Sequence, residues 1–126
     1  MSKVQIRLRE ARCPGYAVEV QPGLIHRVGE ILRPRFSARR ILVLSNPRVF
    51  GLLGRALEAS LRRGGFGRPS WHLVPDGERY KTFDQARRAL IALAAWDRGL
   101  EAKPLVLLLG GGVIGDLGGF AAATYK

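Results

Sequence analysis

Leu105-Val106-Leu107-Leu108-Leu109-Gly110-Gly111-Gly112-Val113-Ile114-Gly115-Asp116 is the stretch on which the reading of the whole chain turns. Its aliphatic run is bounded by glycine and too short for a helix, which is the pattern of a strand buried on both faces of a parallel sheet. The glycines then turn the chain into an apolar helix, read here as Val113 to Tyr125. Gly110, Gly112 and Gly115 satisfy G-x-G-x-x-G between that strand and that helix. Two physical reasons for such glycines stay open at this stage. They let a phosphate approach the backbone amides at a helix N-terminus, or they permit a tight turn with positive φ. The strand before and the helix after favour phosphate binding.

The same rhythm runs backwards from this point. Arg40-Ile41-Leu42-Val43-Leu44 is a second buried strand, followed by Asn46 as N-cap and Pro47 at the first helical position. Val49, Leu52, Leu53, Ala56, Leu57 and Leu61 carry the helix to Gly64-Gly65. Trp71-His72-Leu73-Val74 is a third strand. Thr82-Phe83-Asp84-Gln85 then has the capping-box pattern, with Gln85 placed to reach back to the N-cap amide. Ala86, Leu90, Leu93, Ala94 and Trp96 form an apolar stripe that Gly99 ends. Near the start, Val4, Ile6 and Leu8 alternate with polar residues, as do Tyr16, Val18 and Val20. They predict a half-buried hairpin around a Cys13-Pro14-Gly15 turn, with a helix from Leu24 to Leu32 and Pro34 after it. The expected fold is therefore α/β, a Rossmann-like parallel sheet flanked by helices and preceded by an N-terminal β-hairpin.

With 126 residues the chain fits one domain, 1–126. Its single cysteine excludes a disulfide framework. No apolar run approaches the roughly 20 residues of a membrane span, and the start reads as neither signal nor transit peptide. The expectation is a cytoplasmic domain without a membrane partner. Lys and Arg number 21 against 10 Asp and Glu, a formal charge of +11. The surplus is scattered over residues 1–71, has no interleaved aromatic ladder, and includes Arg62 and Arg63 at a helix end, where cations suit the dipole. These features argue against a nucleic-acid partner.

Ligands of open parallel sheets bind beyond the C-terminal strand ends. Here those ends are Ser45-Asn46, Asp76-Gly77-Glu78-Arg79-Tyr80-Lys81 and Gly110 to Asp116. A dinucleotide fingerprint expects an acidic ribose ligand about 20 residues past the glycines. Only eleven residues follow Gly115, so the carboxylate must come from elsewhere. Glu78, with Lys81 nearby, is the candidate; an ordinary polar turn is the alternative. Asp116 suits the helix dipole whether or not it orients a ligand. His26 and His72 have no partner for metal or nucleophilic chemistry and read as structural. Cys13 lacks a base or a resolving thiol.

Leu108 to Tyr125 resembles the glycine-rich signature of the 3-dehydroquinate synthase family. Val74 to Lys81 resembles that family's D-G-E-x-x-K loop, and Leu44-Ser45-Asn46 its strand-end Ser/Thr-Asn. The resemblance implies an NAD-binding N-terminal domain, incomplete here, of a two-domain enzyme. The amides of Gly111, Gly112, Val113, Ile114 and Gly115 would meet the pyrophosphate. Glu78 and Lys81 would hold the adenosine ribose, in a loop completed by Asp76, Gly77, Arg79 and Tyr80. Asp116 would lie toward the nicotinamide, and Asn46 would be a further cofactor contact. The family's activity is a lyase step of the shikimate pathway, on the route to chorismate and the aromatic amino acids. The substrate 3-deoxy-arabino-heptulosonate 7-phosphate is cyclised to 3-dehydroquinate, with loss of phosphate and transient oxidation by NAD. A divalent metal, zinc or cobalt, acts as Lewis acid on a Glu and two His. Those ligands would lie beyond residue 126, so the resemblance implies no catalytic residue and no metal ligand within the chain, and little activity for it alone. The full-length enzyme would be a homodimer that takes the sugar acid phosphate. Related sugar-phosphate cyclases share the cofactor domain, but Gly119 to Tyr125 is closer to dehydroquinate synthase. A stand-alone nucleotide- or phosphate-binding module is the competing reading.

Overall fold

The computed structural model describes residues 2–6, 15–38, 40–99 and 104–125. Two short strands, β1 (Ser2–Ile6) and β2 (Tyr16–Val20), pair antiparallel. A 3-10 turn over Leu24–Arg27 leads into α1 (Val28–Leu32). The parallel unit follows as β3 (Ile41–Ser45), α2 (Pro47–Arg63), β4 (Ser70–Leu73), α3 (Phe83–Asp97), β5 (Leu105–Leu108) and α4 (Gly112–Thr124). The sheet order is β4-β3-β5, all parallel.

Every residue of β3 is buried, and its side chains alternate between two cores. Ile41 and Val43 pack with Leu57, Leu61 and Phe66, and with the half-buried residues Val28 and Leu32 of α1. Leu42 and Leu44 pack with Ala86, Ala89 and Leu93 of α3 and with Ile114, Leu117 and Ala121 of α4. The result is three layers, α1/α2, sheet and α3/α4. From β3 the chain steps to β4 on one side, then crosses to β5 on the other. Reversing direction at β3 puts α2 and α3 on opposite faces, as a constant crossover hand demands.

The element order matches the sequence reading, with instructive departures. The predicted helix from Leu24 begins as a 3-10 turn. Leu8, Cys13 and Pro14 of the predicted hairpin lie outside the described residues. The strands pair as expected, but the apolar face is not the covered one. Val4 and Val20 are 49% and 62% exposed, whereas Ala17 and Glu19 lie against α1 beside Val28, Ile31 and Leu32. Glu19 pairs with Arg35 at 3.2 Å and Lys3 at 3.5 Å. The capping box forms by half. Thr82 Oγ1 accepts from the Gln85 amide at 3.2 Å, but the Thr82 amide donates to the Tyr80 carbonyl at 2.9 Å, not to Gln85.

The basic residues near the α1–β3 turn have structural employment. Arg33 Nε donates to the Gly64 carbonyl at 2.9 Å and its guanidinium lies 3.7 Å from the Phe66 ring centroid. Arg40 stacks on Trp96 and donates to the Trp96 carbonyl at the end of α3.

Helices α1 and α2 touch through backbone. The Gly29 amide donates to Ser60 Oγ at 3.0 Å, and a Cβ on Gly29 would stand 2.1 Å from the Ser60 carbonyl oxygen. Gly29→Ala is therefore expected to destabilise the fold by about 1–3 kcal/mol, because backbone cannot give way as a side chain does. Gly51, on the open side of α2, has nothing within 4 Å of such a Cβ. Gly51→Ala is expected to stabilise by roughly 0.5–1 kcal/mol through helix propensity. Urea denaturation of both variants checks the contrast.

Candidate functional site

Helices α2, α3 and α4 begin at the same edge of the sheet, beyond the C-terminal strand ends, and their N-termini differ in one respect. At α2, Asn46 Oδ1 accepts from the Val49 amide at 2.8 Å, and Pro47 removes one donor. At α3, Thr82 fills the same role. At α4 the N-cap is Gly111, which has no side chain to offer and makes no side-chain cap bond. The first intrahelical bond runs from the Gly115 amide to the Gly111 carbonyl at 3.0 Å. The amides of Gly112, Val113 and Ile114 precede it and have no intrahelical acceptor. They form the positive end of the helix dipole.

The geometry separates the two reasons for the glycines. None of Gly110, Gly111, Gly112 and Gly115 has positive φ, so a tight left-handed turn does not require them. Gly110 and Gly118 are packing residues. A Cβ on either would stand 2.7 Å from Ile114 Cγ1 or 2.1 Å from Leu108 Cδ2. Gly111, Gly112 and Gly115 face open space, with nothing within 4 Å of a built Cβ. What their missing side chains leave open is access to the amides. An anionic group such as a dinucleotide pyrophosphate fits this cradle.

The crevice lies at the reversal of strand order, between the ends of β3 and β5. Ser45 Oγ donates to the Leu109 carbonyl at 2.6 Å, and the Leu109 amide donates to the Leu44 carbonyl at 2.9 Å. These bonds fix the start of the glycine loop against β3. Asn46 sits beside this clamp, buried, with its Oδ1 committed to α2.

The loop after β4 supplies the charged groups. Val74 is fully buried and anchors it. Gly77, at φ 125°, is a conformation that favours glycine. It allows a 3-10 turn over Glu78–Tyr80, closed by the Lys81 amide on the Glu78 carbonyl at 3.0 Å. Tyr80 packs against the α3/α4 core, and the Arg79 guanidinium lies 4.9 Å from its ring centroid. Asp76 is exposed. Lys81 Nζ then reaches two carboxylates, Asp116 Oδ2 at 2.8 Å and Glu78 Oε1 at 3.0 Å. Asp116 and then Glu78 hold the ammonium above the usual lysine range. Glu78, Lys81, Asp116 and the open glycine cradle thus share one corner of the crevice, with Asn46 at the β3 end.

A cavity of about 250 Å³ adjoins the charged cluster, between Lys81, Phe83, Ala86, Asp116, Leu117 and Phe120. Phe83 is 84% exposed, and its ring meets Phe120 edge-on at 6.2 Å. Sequence reading missed this feature. Its one signal was a phenylalanine, Phe83, at the first position of a helix otherwise polar there. His26 is exposed. His72 is half-buried in β4, and its Nε2 has no hydrogen-bond partner. Among the described residues, no group of three or more His, Cys, Asp or Glu is placed to hold a metal ion. No helix among them is long and apolar enough to cross a membrane.

Residues 71–126, which carry the loop and the glycine cradle, match the family model described as 3-dehydroquinate synthase N-terminal. The chain thus resembles the N-terminal part of 3-dehydroquinate synthases. It is similar to the 3-dehydroquinate synthase of Rippkaea orientalis, with 40% identity over 110 residues, 87% of this chain and 29% of the relative. It is similar to that of Pelotomaculum thermopropionicum, with 38% identity over 125 residues, 99% of this chain and 32% of the relative. The Crocosphaera subtropica enzyme is 39% identical over 124 residues, 98% of this chain and 32% of the relative. The chain spans about a third of the length of the curated relatives it matches.

Two outcomes follow from the local chemistry. Asn46→Ala removes the α2 cap and is expected to cost about 1 kcal/mol in urea denaturation. Burial lowers the His72 pKa from the ordinary 6.5, so the unfolded chain takes up that proton first. Stability contributed by neutral His72 is present above pH 6.5 and falls as pH drops below it. Denaturation midpoints measured across that range are expected to decline in the wild type and to flatten in His72→Leu.

Proposed function

We propose that residues 1–126 form the NAD-binding unit of a cytoplasmic 3-dehydroquinate synthase, the shikimate-pathway lyase. Its substrate is 3-deoxy-arabino-heptulosonate 7-phosphate, cyclised to 3-dehydroquinate with release of phosphate. The observation that carries the cofactor assignment is the uncapped start of α4. It presents free amides through three glycines that neither φ nor packing requires. When bound, NAD supplies a reversible hydride acceptor.

The chain's own residues bind and orient. The amides of Gly112, Val113 and Ile114 receive the pyrophosphate, because the helix dipole stabilises negative charge there. Glu78 accepts hydrogen bonds from vicinal ribose hydroxyls, since an ionised carboxylate is an acceptor at both oxygens. Lys81 donates from the same loop. Asp116, in the second turn of α4, is held by Lys81 at the same corner as Glu78 and orients the cofactor there. Asn46 offers its side-chain amide at the β3 end of the crevice. The metal ligands and the substrate contacts lie, in this reading, outside these residues. The 126-residue chain is then expected to bind NAD and to release no phosphate from the substrate by itself.

Calorimetric titration with NAD tests the assignment. Gly112→Val is expected to leave the circular dichroism spectrum and melting temperature nearly unchanged, because its side chain enters open space. It is expected to weaken NAD binding at least roughly tenfold by covering the amides. Glu78→Ala is expected to weaken binding comparably. Unaltered affinity in both variants would overturn the residue assignments.

A further inference from the structure

We propose that Lys81 is a charge-balancing residue, whose single ammonium holds Glu78 and Asp116 together so that two carboxylates can stand beside a pyrophosphate. The proposal rests on the NAD reading above and deepens it. Glu78 and Asp116 come from elements far apart in sequence, the loop after β4 and the helix α4. Lys81 bridges them at 3.0 Å and 2.8 Å. Among the described residues, no other cation stands within ion-pair distance of either carboxylate. The nearby cations are otherwise occupied. Arg79 lies over Tyr80, and Arg87 and Arg88 both hold Asp84 at 2.9 Å.

The electrostatic consequence follows from counting charge. With Lys81 the cluster carries a net charge of −1; without it, −2. Asp116 stands one turn inside the helix whose positive end must attract an anion, and Glu78 is held beside it. Two uncompensated carboxylates there would repel a pyrophosphate and would repel each other. The ammonium also has donor capacity to spare. It has three N–H groups, and two are engaged in the structure, which leaves one for a cofactor oxygen. Lys81 thus acts through Glu78 and Asp116 as well as on the ligand, and this makes it a positioning residue.

A rescue experiment separates charge balance from simple contact. NAD is titrated into wild type, Lys81→Met, Asp116→Asn and the double variant, with folding checked by circular dichroism. Lys81→Met is expected to weaken binding roughly tenfold or more, as uncompensated like charge does at an interface. The deficit should shrink as salt rises from about 0.01 M to about 1 M, because screening weakens repulsion. The double variant, with one carboxylate removed along with its counter-ion, should recover most of the lost affinity. A double variant as weak as or weaker than Lys81→Met, or a deficit that salt leaves unchanged, overturns the proposal. If wild type itself fails to bind NAD, the cofactor reading falls separately. The same four proteins are then titrated with inorganic pyrophosphate, where the rescue pattern supports charge balance and its absence overturns it.

Discussion

Ile41–Ser45 is withdrawn from water along its whole length and on both faces. A strand in that state must be hydrogen-bonded on both edges and covered above and below, because buried backbone groups left unpaired are costly. β4 and β5 provide the edges, and the α1/α2 and α3/α4 layers provide the covers. The location of the site follows from the same requirement. A strand flanked on both sides by later strands forces the chain to reverse direction, and the reversal opens a crevice at the C-terminal ends of β3 and β5. Ser45, the last residue of the buried run, is polar there. It turns the end of the core into a clamp on the glycine loop.

Glycine does three separate jobs within this frame, and the sequence letter is the same for all. Gly77 supplies a backbone conformation. Gly29, Gly64, Gly110 and Gly118 supply closeness, since a Cβ on any of them would collide with a neighbour. Gly111, Gly112 and Gly115 supply access. The G-x-G-x-x-G spacing spans two of these jobs: its first glycine packs against Ile114, and its second and third face open space. The motif points to the start of α4, but its spacing alone assigns no role to each glycine.

Legibility in the sequence tracked how local the determining physics was. β3, α2, β5 and α4 were readable because a short aliphatic run, an Asn-Pro cap and a glycine stop each act within a few residues. The hairpin shows the limit. Alternation reports which side chains share a face, not which face meets the protein, and here Ala17 and Glu19 lie against α1 while Val18 and Val20 are exposed. The capping box failed by half because the Tyr80 carbonyl, placed by the preceding 3-10 turn, took the Thr82 amide first. In the site, Glu78, Lys81 and Asp116 were each identifiable by motif. Their union was not, since nothing in the spacing of residues 81 and 116 states that the two side chains meet.

The net charge of +11 invites the view that a general positive field draws the anionic cofactor in. The arrangement of the cations argues for a local attraction instead. Arg33, Arg35 and Arg40 are spent on carbonyls, an aromatic face and Glu19, at the turn that precedes β3. The crevice lies at the other end of that strand. Five residues of strand at about 3.3 Å each make a separation of roughly 16 Å, well beyond the Debye length of about 8 Å at physiological salt. Charges that far away are largely screened. Closer to the crevice are the free amides of α4, the ammonium of Lys81 and, in the same loop, Arg79 over Tyr80. Lys81 is the one of these cations paired with Glu78 and Asp116, so in the reading proposed above the balance between it and the two carboxylates decides how well an anion is held there.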